Sequence, residues 1–239
     1  MTAPEPLVVL HNLEIRRGGF RLSVPEWKVP PGSVVGLVGP NGAGKTTLLH
    51  HLAGLAPRDA GEVRVLGLDP ARQPGRVREG LGYMSDDLPV FDLRVGELMA
   101  VLSGYYPRWD PSLVSDLLVR FELEPGQRAR DLSKGQATRL RIVCALGHRP
   151  RIVLLDEPAT GLDLAGRRRL LEAVLEVVQD EERAVIISSH QVADIERIAD
   201  RLLVLARGRV VAEGSTPELV GEGQTLEEAM MRWEMGGAA

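Results

Sequence analysis

The sequence predicts an α/β fold built on a largely parallel sheet, and three observations carry that expectation. Val34–Val38, Ile152–Leu155, Ala184–Ser188 and Leu202–Leu205 are short, nearly unbroken apolar runs. Strands covered by helices on both faces read this way. Amphipathic helical stretches, Gly166–Val178 and Val192–Ile198, alternate with the later runs, as in a doubly wound core. The third observation is the glycine-rich run Gly39-Pro40-Asn41-Gly42-Ala43-Gly44-Lys45-Thr46-Thr47, placed between the first of these strands and a helical pattern, Leu48–Ala53.

Taken in order, Leu7–Leu10, Leu13–Ile15 and Phe20–Val24 read as antiparallel strands punctuated by Gly18-Gly19 and Pro30-Pro31-Gly32. Gly61–Leu66 reads as a further strand and Leu81–Met84 as a strand end. Residues 92–149 change character. Val95–Leu102, Ser112–Phe121 and Thr138–Leu146 carry apolar residues at helical spacing, interrupted by Pro107, Pro111 and Pro125, which predicts a helical insertion. The parallel pattern then resumes, and Gly221-Glu222-Gly223 precedes a last short helix, Leu226–Trp233.

Composition narrows the class. At 239 residues the chain can bury a full core. A net charge of −4 gives no reason to expect a polyanionic partner, so nucleic acid is not expected. Cys144 is the sole cysteine, which excludes an intrachain disulfide and a thiolate metal cluster. It reads as a buried helix position. No signal peptide is visible at the N-terminus, and no apolar stretch approaches the roughly 20 residues that span a bilayer. The expectation is a soluble, cytoplasmic chain that reaches a membrane, if at all, through a partner.

The chemistry begins at the glycine-rich run. Its glycines let successive N–H groups turn inward around an anion, and the helix beginning near Lys45 aims its positive end there. Lys45 can reach the β- and γ-phosphates of a nucleotide, and the Thr46 hydroxyl can ligate Mg²⁺. A second motif, Ile152–Leu155 followed by Asp156-Glu157-Pro158, ends a buried strand in two carboxylates. Ligands of open α/β sheets sit beyond the carboxyl ends of strands, so both carboxylates fall near the loop if the two strands are neighbours. One can support the metal, and the other can orient and deprotonate an attacking water. A third element, Leu132-Ser133-Lys134-Gly135-Gln136, places an N-cap and an exposed helix N-terminus one helix upstream.

Together these motifs resemble the nucleotide-binding subunit of ABC transporters. Walker A (Gly39–Thr47), the signature (Leu132–Gln136), Walker B (Ile152–Glu157), a D-loop-like Gly161-Leu162-Asp163 and a switch histidine (Ser189-His190) occur in family order. The resemblance runs from residue 7 to about 233. Thr225-Leu226-Glu227-Glu228-Ala229 and Tyr106-Pro107-Arg108-Trp109-Asp110 are most similar to ABC-2-type exporters. The resemblance implies a P-loop NTPase core with a parallel sheet, an N-terminal antiparallel β subdomain and an inserted α-helical subdomain. On this reading residues 1–84 and 150–220 form the nucleotide-binding core with its antiparallel part. Residues 85–149 form the helical subdomain and 221–239 the final helix and tail.

The resemblance further implies ATP and Mg²⁺ as cofactors and a head-to-tail dimer in which each ATP lies between two subunits. Gly39, Pro40, Asn41, Gly42, Ala43, Gly44, Lys45, Thr46 and Thr47 would bind ATP in one subunit. Ser133, Gly135 and Gln136 would bind it from the other. Glu157 would be the general base, and Asp156 would support Mg²⁺ with Thr46. His190 would contact the γ-phosphate, and Asp163 would organise the dimer interface. The implied partner is a membrane permease, with a homodimer or a heterodimer of ATPases left open.

Three departures from the family pattern stand out. Lys134 replaces the commonest glycine of the signature, either strengthening ATP affinity across the dimer or remaining a solvated lysine. Asp86 occupies the position of the Q-loop glutamine, either as a metal ligand or as a turn aspartate. No A-loop tyrosine is evident; Phe20 is either the adenine-stacking ring or a core strand residue. Tyr105, Tyr106 and Trp109 either face a permease or pack within the helices. The alternative function is an ABC ATPase acting on nucleic acid or ribosomes, or a weakly hydrolysing regulatory cassette. The absence of long coiled coils, zinc-binding cysteines, a second cassette and a basic patch argues against the first of these. No Asn-Lys-x-Asp motif of GTPases occurs.

Overall fold

Gly18-Gly19 folds β1 (Val8–Arg17) back on β2 (Phe20–Val29), paired antiparallel from Val8↔Val29 to Arg17↔Phe20. The two apolar runs before the turn are thus one strand. It is irregular where Asn12 takes φ 49°, and its register with β4 (Ala60–Val65) shifts between His11 and Glu14. The computed structural model describes residues 4–234 apart from 89–90, 161, 163, 179–181 and 222.

The remaining strands are β3 (Val34–Val38), β5 (Leu81–Ser85), β6 (Ile152–Asp156), β7 (Ala184–Ser188), β8 (Arg201–Ala206) and β9 (Arg209–Ser215). All nine form one sheet in the order β4-β1-β2-β9-β8-β3-β7-β6-β5. The stretch β8-β3-β7-β6-β5 is parallel throughout. β9 returns antiparallel to β8 and meets β2 at Ser23↔Arg209. The antiparallel strands and the parallel core therefore share one continuous sheet. β9 was not expected from the sequence, because its apolar run, Val210 to Ala212, is short and only Ala212 is buried.

The apolar strands read as continuous because their side chains alternate between two cores. Val35 and Leu37, Ile152 and Leu154, Ala184 and Ile186, and Leu203 and Leu205 pack into one layer. That layer also holds the β1–β2 hairpin and Leu48, Leu49 and Leu52 of α1 (Lys45–Leu52). Val38, Val153, Leu155, Val185, Ile187, Leu202 and Val204 face the other layer. There they meet α3 (Val95–Tyr105), α4 (Pro111–Arg120), α5 (Lys134–Leu146) and α6 (Leu164–Val178). Each fully buried aliphatic side chain contributes about 1.5–3 kcal/mol, so either face alone outweighs local propensity. Three short helices complete the chain: α2 (Pro74–Glu79) and α8 (Thr216–Val220), both unanticipated, and α7 (Val192–Glu196). α9 (Leu226–Glu234) follows at the end.

The helical insertion, α3 to α5, leaves the sheet after β5 and returns at β6. α5 lies so close to β5 that a Cβ on Gly82 would sit 2.2 Å from the Ala145 carbonyl oxygen. Asp110 caps α4 by accepting from the Leu113 N–H at 2.9 Å and pairs with Arg149. The Tyr106 ring stacks on His148 at 4.1 Å and on Trp109 at 6.4 Å, so these aromatics pack within the helices. Tyr105 stays 77% exposed. Cys144 is half-buried, and burial pushes its thiol up to about 12.

Burial also pushes the His148 imidazole down to about 4, only partly opposed by its contact with the Leu81 carbonyl. The folded pKa lies below the unfolded one, so between them the unfolded chain binds more protons. The resulting stability is fully present above about pH 6.5 and is lost as pH falls towards 4. From this residue the expected loss is on the order of 3 kcal/mol. Urea titrations at pH 7 and pH 4 should therefore show a smaller pH effect in His148→Gln than in the native chain. An identical pH effect in both would refute the assignment.

Candidate functional site

The parallel strands end at one edge, and each delivers a residue there. β3 runs into Gly39, β6 into Glu157, β7 into Ser189-His190, β5 into Asp86, and β8 into Arg207. β6 is not the hydrogen-bonded neighbour of β3; β7 lies between them. The carboxylates still reach the loop, because pairing brings Asp156 opposite Ser188 and Ser188 opposite Leu37.

The loop itself depends on left-handed glycines. Gly39, Gly42 and Gly44 have φ of 149°, 79° and 111°. A Cβ on Gly39 would lie 2.1 Å from the Leu205 carbonyl oxygen, whereas one on Gly42 would meet nothing within 4 Å. Gly42 thus faces open space while Gly39 wedges against β8. Gly44 is the N-cap of α1 and offers no side-chain acceptor, so the first amides of the helix are available to an anion. Pro40, Asn41 and Gly42 are exposed, and Ala43 is buried beneath them. Asn41 to Thr47, Phe20 and Glu157 line a cleft of about 470 Å³.

Lys45 is buried, and its ammonium donates to the Gly39 carbonyl at 2.7 Å and the Pro40 carbonyl at 3.4 Å. Burial lowers its pKa, while the charges of Glu157 and Asp156 pull the other way. Glu157 Oε1 stands 3.9 Å from Lys45 Nζ. Its other oxygen accepts from the backbone N–H of His190 at 3.3 Å and from His190 Nδ1 at 2.7 Å. That second contact requires the Nδ1 proton to be present. Glu157 holds φ 50°, a left-handed conformation that costs a non-glycine residue about 1–3 kcal/mol. Two hydrogen bonds sustain it: the Glu157 N–H donates to Ser188 Oγ at 3.0 Å and to the Ser188 carbonyl at 3.2 Å. The same hydroxyl donates to buried Asp156. Sequence reasoning missed Ser188, although a polar residue closing an apolar strand was a visible signal.

The structure brings together Lys45, Thr46, Asp156, Glu157, His190 and Phe20. Phe20 opens β2 and lays its ring against the loop, 3.0 Å from where a Cβ on Gly44 would stand. Ser133, Gly135 and Gln136 do not line the cleft. They form the first turn of α5, where Ser133 and Gln136 exchange a reciprocal capping box. Lys134 there is exposed. Asp86 is ion-paired with Arg141 of α5 at 3.3 Å. Gly161 and Asp163 lie outside the described residues. Among the described residues, no group of three or more His, Cys, Asp or Glu could by itself hold a metal ion.

A family model described as ABC transporter matches residues 22–160, from β2 through Walker B. The chain belongs to the ABC transporter family. Its relatives include the Nod factor export ATP-binding protein I of Rhizobium etli, 35% identical over 84% of this chain and 65% of that protein. The daunorubicin resistance ATP-binding protein DrrA3 of Streptomyces coeruleorubidus is 35% identical over 82% of this chain and 63% of its own length. The chain thus spans less than two-thirds of either relative. A solved ATP-binding subunit of an ABC transporter superposes with a TM-score of 0.86 and 26% identity, covering 95% of this chain and 99% of that one. The ABC ATPase fold, with its antiparallel N-terminal strands and α/β core, is therefore the fold of this chain.

Ser188 is the hinge of the carboxylate pair. Ser188→Ala leaves buried Asp156 without its donor and removes one acceptor of the Glu157 N–H. The expected cost is about 1–3 kcal/mol of stability. It should also lower kcat with little change in KM, since the loop is untouched. Urea unfolding and steady-state ATP turnover measure both; a fully wild-type kcat would show that Ser188 does not position Glu157.

Proposed function

We propose that this chain hydrolyses ATP and powers a separate membrane permease of an ABC exporter. The observation that carries the reading is Glu157, held by strained backbone between Lys45 and His190 at the mouth of the loop. Gly39 to Thr47 would wrap the phosphates, with Lys45 exchanging its carbonyl partners for phosphate oxygens. Glu157 would take the proton of the attacking water, and His190 would hold Glu157 in place and contact the γ-phosphate. Catalysis is then positioning and electrostatics. Thr46 and Asp156 are the residues that would hold Mg²⁺, whose charge would neutralise the phosphates. The hard oxygen donors of Thr46 and Asp156 suit that ion, and the open glycine cradle suits the phosphates. Phe20 would stack on the base.

The first turn of α5 lies outside the cleft, which fits a head-to-tail dimer in which Ser133 and Gly135 serve the neighbouring subunit's nucleotide. A homodimer and a heterodimer with a second ATPase serve this geometry equally. Among the described residues no helix is long and apolar enough to cross a membrane. On the exporter reading the permease would be a separate chain, with this one peripheral on the cytoplasmic face. An apolar groove of about 310 Å³ between Tyr83, Leu98, Leu102 and Leu140, edged by exposed Phe91, fits a helix of that partner. The domain reading is one ATPase unit, its helical part at 85–149. Relatives named for Nod factor export and daunorubicin resistance support an exporter rather than a nucleic-acid or ribosome remodeller.

Two variants test the reading. Glu157→Gln should cut ATP turnover by roughly 10²–10⁴-fold while leaving ATP binding intact, and an ATP-bound dimer should persist in size-exclusion chromatography. Lys45→Ala should instead weaken ATP binding. Wild-type turnover in the first variant, or unchanged affinity in the second, overturns the roles assigned here. Affinity purification of Glu157→Gln from its own cells with ATP·Mg²⁺ should bring down a polytopic membrane protein; ribosomes or nucleic acid in its place would favour the remodelling class.

A further inference from the structure

His190 leads directly into α7, a helix of only five residues. A helix this short makes few hydrogen bonds of its own and takes its placement from tertiary contacts. Ile195 is its one buried residue and seats it on β3, so closely that a Cβ on Gly36 would lie 2.2 Å from Ile195 Cγ2. A single apolar anchor leaves rotation about the helix axis open. Two carboxylates oppose that rotation. Glu196 accepts from the Leu226 N–H at the start of α9 at 3.1 Å, and Asp194 stands 3.3 Å from Arg167 of α6.

Arg167 holds a second segment as well. Its Nη2 donates to the Leu162 carbonyl at 3.5 Å, while Nη1 donates to Asp194. The Leu162 side chain in turn abuts the first turn of α5, where a Cβ on Gly135 would lie 2.9 Å from Leu162 Cδ2. The Arg167 side chain is 17% exposed, and among the described residues its buried Nε has no hydrogen-bond partner. Both of its contacts are longer than the roughly 2.7–2.9 Å of a close charge-assisted bond, which leaves the clasp room to tighten. One half-buried guanidinium thus spans the helix behind His190, the segment at Leu162 and, through that side chain, the signature turn. It lines no part of the phosphate cleft.

We propose that Arg167 is a positioning residue for ATP hydrolysis. Through Asp194 it fixes α7, and so the approach of His190 to Glu157. Through Leu162 it ties that arrangement to the turn bearing Gly135. The inference rests on the reading above, in which Glu157 and His190 act at the γ-phosphate and Gly135 serves the neighbouring subunit's nucleotide. His190 is exposed and holds Glu157 by a hydrogen bond of 2.7 Å, whose geometry is only as fixed as the backbone that carries the imidazole. Misplacing a catalytic group by about 1 Å can cost on the order of a hundredfold in rate. The contacts of Arg167 lie with Asp194 and Leu162, away from Lys45 and the glycine loop, so its loss should act on turnover and leave nucleotide affinity alone.

The test is ATP turnover and equilibrium ATP binding by the full chain, in native form and with Arg167→Gln, Asp194→Asn or both. Each single variant should lower kcat about tenfold with an unchanged Kd for ATP. The double variant should be no slower than either single one, because the two residues act as a pair. Arg167→Lys should recover part of the rate: an ammonium can reach Asp194 but lacks the fork that also holds Leu162. In a His190→Gln background, Arg167→Gln should remove little more, since its effect runs through His190. Native kcat in Arg167→Gln would overturn the proposal. So would a full further tenfold loss on top of His190→Gln, or a loss of ATP affinity matching the loss of rate; either would mark Arg167 as general support for the fold. If circular dichroism shows Arg167→Gln unfolded, the milder Asp194→Asn decides by the same criteria. Turnover indifferent to Glu157→Gln would instead overturn the site reading beneath the proposal.

Discussion

The in-register parallel pairing of β3, β7, β6 and β5 is the constraint on which the site depends. Each strand contributes few residues, but their ends are aligned: Ser85 opposite Asp156, Asp156 opposite Ser188, Ser188 opposite Leu37. A slip of one residue in β6 would turn Asp156 and every apolar neighbour to the opposite face. Both faces are buried, so such a slip would disorder two cores at once. The precision of the carboxylate pair is thereby secured by apolar packing that takes no part in the chemistry.

Within that frame the charged groups are held under strain. Lys45 lies buried with carbonyl partners and a carboxylate just beyond hydrogen-bonding range, so part of its hydration is replaced by protein dipoles. Glu157 adopts a backbone conformation costly for its residue type, sustained by Ser188. Such costs persist where surrounding structure over-determines the geometry, and they cluster where pre-organisation is needed. The alternative, relaxed backbone at position 157, would give up the contacts with His190 and Lys45 together.

Legibility in the sequence followed burial. Strands covered on both faces appear as unbroken apolar runs, so β3, β6, β7 and β8 were found with ends correct to a residue or so. β9 escaped because only Ala212 among its residues is fully buried. α2 and α8 are too short to show a period, and α8 is signalled only by its Ser215–Glu218 capping box. Lys45, Glu157 and His190 were legible because motif and strand end coincide. The contact of the β8–β9 turn with the loop, from Gly208 to Ala43, was not legible, since it joins segments far apart in the chain. Phe20 belongs to a strand and lines the cleft at once.

Asp86 stands at the carboxyl edge of the sheet, where the residue type decides which partner the position needs. A glutamine there would donate and accept, and needs no counter-charge. A carboxylate at a half-buried strand end calls for a cation, and Arg141 supplies it. Arg141 also donates to the Leu88 carbonyl, so it clasps the segment that leaves β5. It stands on α5, whose first turn carries Ser133, Gly135 and Gln136. The carboxyl edge of the sheet and the helix bearing the signature are therefore joined by charge as well as by the close contact at Gly82. A partly exposed pair of this kind is worth about 0–1 kcal/mol. That is small beside the apolar burial around α5. The apolar layer shared by α3, α4 and α5 therefore holds the insertion together, and the Asp86–Arg141 pair is a minor tie between α5 and the edge of the sheet.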